Sequence, residues 1–161
     1  MFKIGEYVIY KRDLCKIKEI KEKYFNGVDY YVLESNNDSS LTISVPADTK
    51  LLRGLISKAD LDKLIEKIPS INIVNNNSRM IENEYKKLLE SSSYDDLITI
   101  IKTAYLRNKE RIDNNKKIAE KDNYYFEKAE MLLYSEFSVV LGLSFEETKN
   151  YVMNKIQEML K

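Results

Sequence analysis

Several residue types are scarce or absent in this chain of 161 residues. It contains no histidine and no tryptophan, one cysteine, two prolines and four glycines. Without histidine, the chain lacks the commonest general base and the commonest zinc ligand. Four scattered glycines leave no glycine-rich loop of the kind that binds phosphates. The single thiol, Cys15, has no base beside it in sequence, which favours a buried structural residue over a nucleophile.

The charges balance, with 26 basic and 26 acidic side chains. Any contact to nucleic acid would therefore have to come from a local patch. No apolar run approaches the ~20 residues of a membrane-spanning helix, so we expect no membrane partner. A single cysteine and the lack of a signal peptide together predict the cytoplasm.

Acidic residues occur as two adjacent pairs, Asp95-Asp96 and Glu146-Glu147. Each pair falls in the first turn of a predicted helix, where carboxylates interact favourably with the helix dipole. The sequence therefore predicts a binding protein rather than an enzyme, with no catalytic residue, metal, cofactor or small-molecule substrate.

The first third of the chain has the pattern of a small β module. Alternating apolar and polar residues predict four strands, over residues 7–10, 14–24, 28–33 and 41–45. Asn26-Gly27 predicts a tight hairpin turn, and Pro46 ends the last strand because proline has no N–H. We expect a small SH3/Tudor-like β-barrel or a bent antiparallel sheet, with an edge available to a partner strand.

The rest of the chain predicts helices, over residues 57–68, 79–90, 97–111, 119–141 and from 144 onwards. Ser57, Ser93 and Ser144 each stand three residues before a carboxylate, as helix caps do, and Gly142 suits a helix C-terminus. The core face of the third helix is predicted to be Leu97, Ile98, Ile101, Ala104 and Tyr105. The fold class is α+β: residues 1–56 form the β domain, 57–77 a connecting helix and linker, and 78–161 an all-helical domain.

One segment, residues 102–121, is locally basic. Its charged side chains are Lys102, Arg107, Lys109, Arg111, Lys116, Lys117 and Lys121 against Glu110, Asp113 and Glu120. The pattern fits a solvated helix face as well as it fits a patch that contacts phosphates. Phosphate contacts would give salt-dependent binding with little sequence preference.

Both halves resemble one protein family. Residues 2–10 (FKIGEYVIY), 26–33 (NGVDYYVL) and 41–46 (LTISVP) are similar to the RNA-polymerase-interacting domain of the CarD/CdnL family, which itself resembles a domain of transcription-repair coupling factors. In the helical half, residues 85–91 (YKKLLES) and the spacing of Leu97, Tyr105, Arg107 and Phe137 follow the same family. The resemblance covers residues 2–155.

The resemblance implies a bacterial transcription regulator. Its β domain would bind the RNA polymerase β subunit, and its helical domain would contact promoter DNA at the upstream edge of the bubble and stabilise the open complex. The implied polymerase-binding residues are Lys23, Leu41, Thr42, Ile43, Ser44 and Val45. The implied DNA-binding residues are Arg79, Lys102, Arg107, Lys109 and Arg111.

The chain departs from the family at two positions. Ser44 stands where relatives often have an arginine, so one charged polymerase contact is missing. Relatives also place a tryptophan in the DNA minor groove, and here the matching position is Asn77 or Ser78, neither of which is an apolar wedge. Ile73 or Met80 are possible substitutes. The alternative interpretation is a protein–protein adaptor with no direct DNA contact.

Overall fold

The computed structural model describes residues 1–75 and 79–159. The chain divides into two compact units, Met1–Ser57 and Lys58–Lys161. The first contains an antiparallel sheet and the second contains helices, so the predicted α+β class is confirmed. No helix of the described ranges is both long enough and apolar enough to cross a membrane.

The first unit is a five-stranded antiparallel sheet. Its strands are β1 (Tyr7–Tyr10), β2 (Asp13–Phe25), β3 (Val28–Ser35), β4 (Thr42–Pro46) and β5 (Leu52–Arg53), in the order β4-β3-β2-β1-β5. The sequence predicted only four strands. The fifth has two residues, which pair with Tyr10 and Ile9 of β1, and two residues are too few to show a period of two.

The β2–β3 hairpin turns at Asn26 and Gly27, whose φ angles are 51° and 73°. Both angles lie in the left-handed region that a tight hairpin turn requires, which confirms the prediction. The core of the sheet lies on one face and contains Val8, Cys15, Ile17, Tyr31, Leu33, Val45 and Leu52. Burial raises the pKa of the Cys15 thiol, as expected for a structural cysteine.

The second unit contains five helices. They are α1 (Lys58–Lys67), α2 (Ile81–Ser91), α3 (Tyr94–Asp113), α4 (Glu120–Leu141) and α5 (Phe145–Met159), with a 3-10 turn at Ile68–Ser70 after α1. The sequence assigned residues 57–77 to a connecting segment. In the structure α1 packs against α4 and α5, so it is part of the helical unit.

Local sequence signals set the helix ends. The Ser93 hydroxyl accepts a hydrogen bond from the Asp96 N–H at 3.1 Å. Ser144 and Glu147 cap each other reciprocally, with distances of 3.0 and 3.1 Å. Gly142 ends α4 with φ 68° in the left-handed conformation. These three predictions are confirmed.

The predicted core face of α3 is partly wrong. Leu97, Ile98 and Ala104 are buried, but Tyr105 is 49% exposed and the buried set includes Ile100 and Thr103 instead. The packed face is therefore rotated relative to the predicted stripe. The hydrophobic pattern of the last helix also predicts Ile156 and Met159 on its apolar side, and their side chains lie outside the described residues.

Three carboxylates in α4 are buried: Asp122, Glu130 and Glu136. The Glu136 carboxylate accepts a hydrogen bond from the Tyr94 hydroxyl at 2.6 Å. Glu130 lies 3.3 Å from the Lys149 ammonium of α5. Burial raises the pKa of Glu130 despite this ion pair. The folded helical unit therefore holds a proton on Glu130 more tightly than the unfolded chain does.

This raised pKa predicts a pH dependence of stability. The folded state binds the extra proton over a pH window that starts near the ordinary glutamate value of about 4.3 and ends at the higher folded pKa. Within that window the free energy of unfolding falls as the pH rises. Glu130→Gln should lack this fall, so its melting temperature should decrease less than that of the wild type between the acidic and neutral ends of a titration.

Glu147 is the matched control, because its hydrogen bonds to Ser144 lower its pKa. The stability that Glu147 contributes is present above the ordinary glutamate pKa and is lost as the pH falls through its lower folded pKa. Glu147→Gln should therefore change the dependence of melting temperature on pH in the opposite direction to Glu130→Gln. Melting curves followed by circular dichroism at 222 nm test both variants. Parallel profiles for Glu130→Gln and the wild type would contradict the prediction.

Candidate functional site

The outer edge of β4 is the most accessible part of the predicted polymerase-binding surface. Leu41 is 59% exposed and Ile43 is 48% exposed. Thr42 and Ser44 are exposed as well. Val45, by contrast, is 2% exposed and belongs to the core of the sheet. Its side chain is therefore not available to a partner, whereas the other four predicted residues of this segment are.

The hydrogen-bond register shows which backbone groups of β4 face outward. The Leu41 carbonyl accepts from Ser35 and the Ala47 N–H donates to Asp29, so both residues bond toward β3. The β3–β4 register runs between them without a shift. Because an antiparallel strand alternates its bonding direction residue by residue, the odd-numbered residues 41–47 bond to β3. Thr42 and Ser44 therefore direct their N–H and C=O groups to the open side.

Lys23 lies at the far end of the β2–β3 hairpin. It has φ 45°, and its N–H donates to the Asp29 carboxylate at 2.9 Å. Tyr24 and Phe25 beside it are 56% and 60% exposed. The predicted polymerase contact Lys23 therefore belongs to an exposed hairpin end that also carries two aromatic side chains.

The predicted DNA-binding residues do not form one free cationic surface. Lys102 is the first exception, because its ammonium donates to the carbonyls of Ile68, Pro69 and Ile71 at 2.9, 3.4 and 2.5 Å. Burial lowers its pKa. Lys102 thus caps the backbone that follows α1, and these bonds give its ammonium a structural role.

Arg107 is the second exception. Its Nε donates to Asp122 Oδ1 at 3.0 Å, and the hydroxyl of Tyr85 donates to the same oxygen at 2.7 Å. The Asp122 side chain is 2% exposed and the Arg107 side chain 28%. Burial and the bond to Asp122 raise the pKa of Tyr85 further above neutral pH, and the protonated phenol is the donor. Arg107 therefore neutralises a buried carboxylate that joins α2, α3 and α4.

Arg111 is partly engaged and Lys109 is not. The Arg111 Nε donates to the Lys117 carbonyl at 2.7 Å and holds the loop that follows α3. As a cation in the last turn of α3, it also interacts favourably with the negative end of the helix dipole. Lys109 is exposed, as is Arg79. Of the predicted set, Lys109 and Arg79 are thus exposed and Arg111 is half-buried.

The charge of the helical unit is also less favourable than the local patch suggested. Nine of the 26 basic residues lie in residues 1–57, which leaves 17 in residues 58–161. Eight of the 26 acidic residues lie in the first unit, which leaves 18 in the second. The helical unit therefore has a formal net charge of −1.

The structure describes two of the four positions considered for an apolar wedge. Asn77 and Ser78 lie outside the described residues. Ile73 and Met80 are 44% and 48% exposed, so both side chains are accessible.

Within the described ranges, no group of three or more acidic, cysteine or histidine side chains is arranged to hold a metal ion.

The sequence analysis missed Asp122 and Tyr85, although they decide what Arg107 does. Tyr85 is 37 positions from Asp122 and Arg107 is 15 positions away, so no local spacing joins them. The one available signal was Asp122 itself, an acidic residue three positions before the aromatic Tyr125 in the predicted fourth helix. Comparison with protein-family models gives no match, and a search of curated proteins finds no similar sequence.

The buried triad predicts that Arg107→Gln destabilises the helical unit. It leaves the Asp122 charge buried with a single neutral donor, and removing one partner of a buried pair costs several kcal/mol. Because Arg107 is partly exposed, we expect a smaller loss, about 2 kcal/mol. Denaturant unfolding followed by circular dichroism measures it.

Lys109→Gln is the matched control, since it removes a charge from the exposed side of the same helix. It should change the free energy of unfolding by less than about 0.5 kcal/mol. Equal unfolding midpoints for Arg107→Gln and the wild type would show that the triad does not stabilise the fold.

Proposed function

We propose that the chain is a CarD/CdnL-like regulator of bacterial transcription. Its sheet unit binds the RNA polymerase β subunit, and its helical unit contacts promoter DNA at the upstream edge of the bubble and stabilises the open complex. The resemblance over residues 2–155 supports this proposal. Such a protein acts in the cytoplasm, where bacterial polymerase works.

The observation that carries the proposal is the open edge of β4. Two N–H and two C=O groups, from Thr42 and Ser44, face outward beside the exposed side chains of Leu41 and Ile43. A strand of the β subunit would pair with these groups, because exposed sheet edges bind extended segments through main-chain hydrogen bonds. Backbone pairing does not need a charged residue at position 44, so the serine there is compatible with docking.

The DNA contact in this proposal is weak and depends on tethering. Lys109, Arg79 and the outer part of Arg111 would meet phosphates. A helical unit with a net charge of −1 cannot bind DNA tightly through so few contacts. Attachment to polymerase would supply the affinity, because it raises the effective concentration of the helical unit at the promoter.

The proposed docking predicts that Ser44→Pro abolishes binding to the polymerase β subunit. Proline removes an N–H that faces outward and leaves the β3–β4 ladder intact, and proline is tolerated at edge strands. Ser44→Ala removes the hydroxyl but keeps the N–H, so it should bind like the wild type. A pull-down of the purified β subunit by full-length chains measures the retained fraction.

Four results are possible, and each decides the matter. Retained binding by both variants would contradict strand pairing through the Ser44 N–H. Loss of binding in Ser44→Pro alone supports strand pairing. Loss in both variants would show that the Ser44 side chain makes the contact, which contradicts backbone docking. No binding by the wild-type chain would contradict the proposed function altogether. Circular dichroism of Ser44→Pro checks that the sheet remains folded.

The second candidate function is an adaptor that joins two proteins without touching DNA. A specific observation favours it. The cationic groups of Lys102 and Arg107 form hydrogen bonds within the chain, and the helical unit has a formal net charge of −1. In this case the sheet unit would bind as above, and the helical unit would bind a protein surface.

The salt dependence of promoter binding separates the two candidates. If Lys109 contacts a phosphate, Lys109→Glu should reduce the salt slope of binding between the polymerase–regulator complex and promoter DNA by about one. Lys63→Glu reverses an exposed charge on α1 and should leave the slope unchanged. Identical slopes for polymerase with and without the wild-type chain would favour the adaptor.

A further inference from the structure

An apolar groove lies on the helical unit, whereas the residues predicted to bind polymerase belong to the sheet unit. The C-terminal half of α3, the loop before α4 and the first turns of α4 form a cavity of about 260 Å³. Tyr105, Ile112 and Ile118 line it and are 49%, 57% and 44% exposed, and Phe126 forms part of the wall. Large apolar side chains gathered around one concavity are typical of binding sites.

Hydrogen bonds hold the walls of this groove in place. The Asn108 Oδ1 accepts from the Ala119 N–H at 2.8 Å, which fixes the loop beside Ile118. The bond from Arg111 to the Lys117 carbonyl, at 2.7 Å, fixes the same loop from its other side. A groove that is already formed saves an occupant the cost of ordering it.

Among the described residues, the polar side chains that line the groove are two neutral amides and one cation. They belong to Asn108, Asn123 and Lys109, and none of them is a carboxylate. Within residues 1–75 and 79–159, the Lys109 ammonium has no ion-pair partner. An occupant complementary to this lining presents a large apolar side chain to the groove and a carboxylate to Lys109.

We propose that this groove binds an acidic amphipathic segment of a partner protein. The segment lays its apolar side chains against Tyr105, Ile112 and Ile118, and a neighbouring acidic side chain pairs with Lys109. A helix that presents apolar residues three or four positions apart matches a groove formed along α3, as in other helix-in-groove complexes. This assigns the helical unit a protein contact that does not depend on whether the sheet unit binds polymerase. The acidic segment and a DNA phosphate would compete for Lys109, so the two contacts exclude each other.

Other occupants fit less well. In a two-fold contact between copies of this chain, the same patch faces itself, which would bring two Lys109 ammonium groups toward each other. Nucleic acid would need more cations than Lys109, the one cation among the described residues that line the groove, because its affinity depends on phosphate neutralisation. The apolar lining would also remain largely unused by a phosphate backbone.

Two labelled peptides test the proposal with the full-length chain. Both are fourteen-residue helical designs with leucine and phenylalanine on one face, one with glutamate and the other with lysine at all remaining positions. The glutamate peptide should bind and shift the amide resonances of residues 105–126 in NMR spectra. The lysine peptide should bind at least about tenfold more weakly, which is the effect of roughly 1.4 kcal/mol.

Variants on α3 locate the binding. Ile112→Glu places a charge in the groove and should weaken binding of the glutamate peptide by about tenfold or more. Leu106→Glu is the matched control, since Leu106 is 45% exposed on the same helix but does not line the groove. Lys109→Gln should remove the preference for the glutamate peptide while keeping some binding by both.

Several results would overturn the proposal. They are no binding of the glutamate peptide at millimolar concentration, equal binding of both peptides to the wild type, and equal losses in Ile112→Glu and Leu106→Glu. Sedimentation of the wild-type chain provides a further check. A dimer that dissociates in Ile112→Glu would show that a second copy is the occupant instead.

Discussion

Burial of the Asp122 carboxylate constrains three of the helices in the helical unit. A charge so deep in a protein is tolerated only with a countercharge and hydrogen-bond donors. Arg107 of α3 supplies the first and Tyr85 of α2 adds a donor, both to the same oxygen. A single carboxylate oxygen of α4 therefore bonds to side chains of both α2 and α3. As a consequence, the guanidinium of Arg107 faces the buried Asp122, and the basic segment presents fewer cations at the surface than its sequence contains.

The sequence predicted those features of the fold that neighbouring residues determine. The hairpin at Asn26-Gly27, the cap at Ser93, the end of α4 at Gly142 and the reciprocal cap at Ser144 depend on spacings of one to three residues. Their physical cause is local: a backbone angle that glycine or asparagine tolerates, or a hydroxyl that reaches an unpaired N–H. The β module was predictable for a similar reason, since alternation along a strand follows from its geometry.

The features that were missed depend on distant residues. Lys102 bonds to carbonyls 31–34 positions away, and nothing near it in sequence distinguishes it from a solvated lysine. The two-residue strand β5 exists because β1 offers it an edge. Tyr105 fits the apolar stripe of α3 by period, but the direction in which α4 packs leaves it at the surface, where it lines the groove. Counting charges in a segment thus overstates what a partner can reach.

Pro46 at the end of β4 has a consequence for solubility. An open sheet edge is a hazard, because copies of a chain can add to it strand after strand and form fibrils. Here the outward N–H groups stop after Ser44, since the next outward-facing residue is Pro46, which has none. Proline is one of the devices by which proteins limit such strand addition. The same proline that ends β4 therefore shortens the stretch of open edge with which another strand could pair.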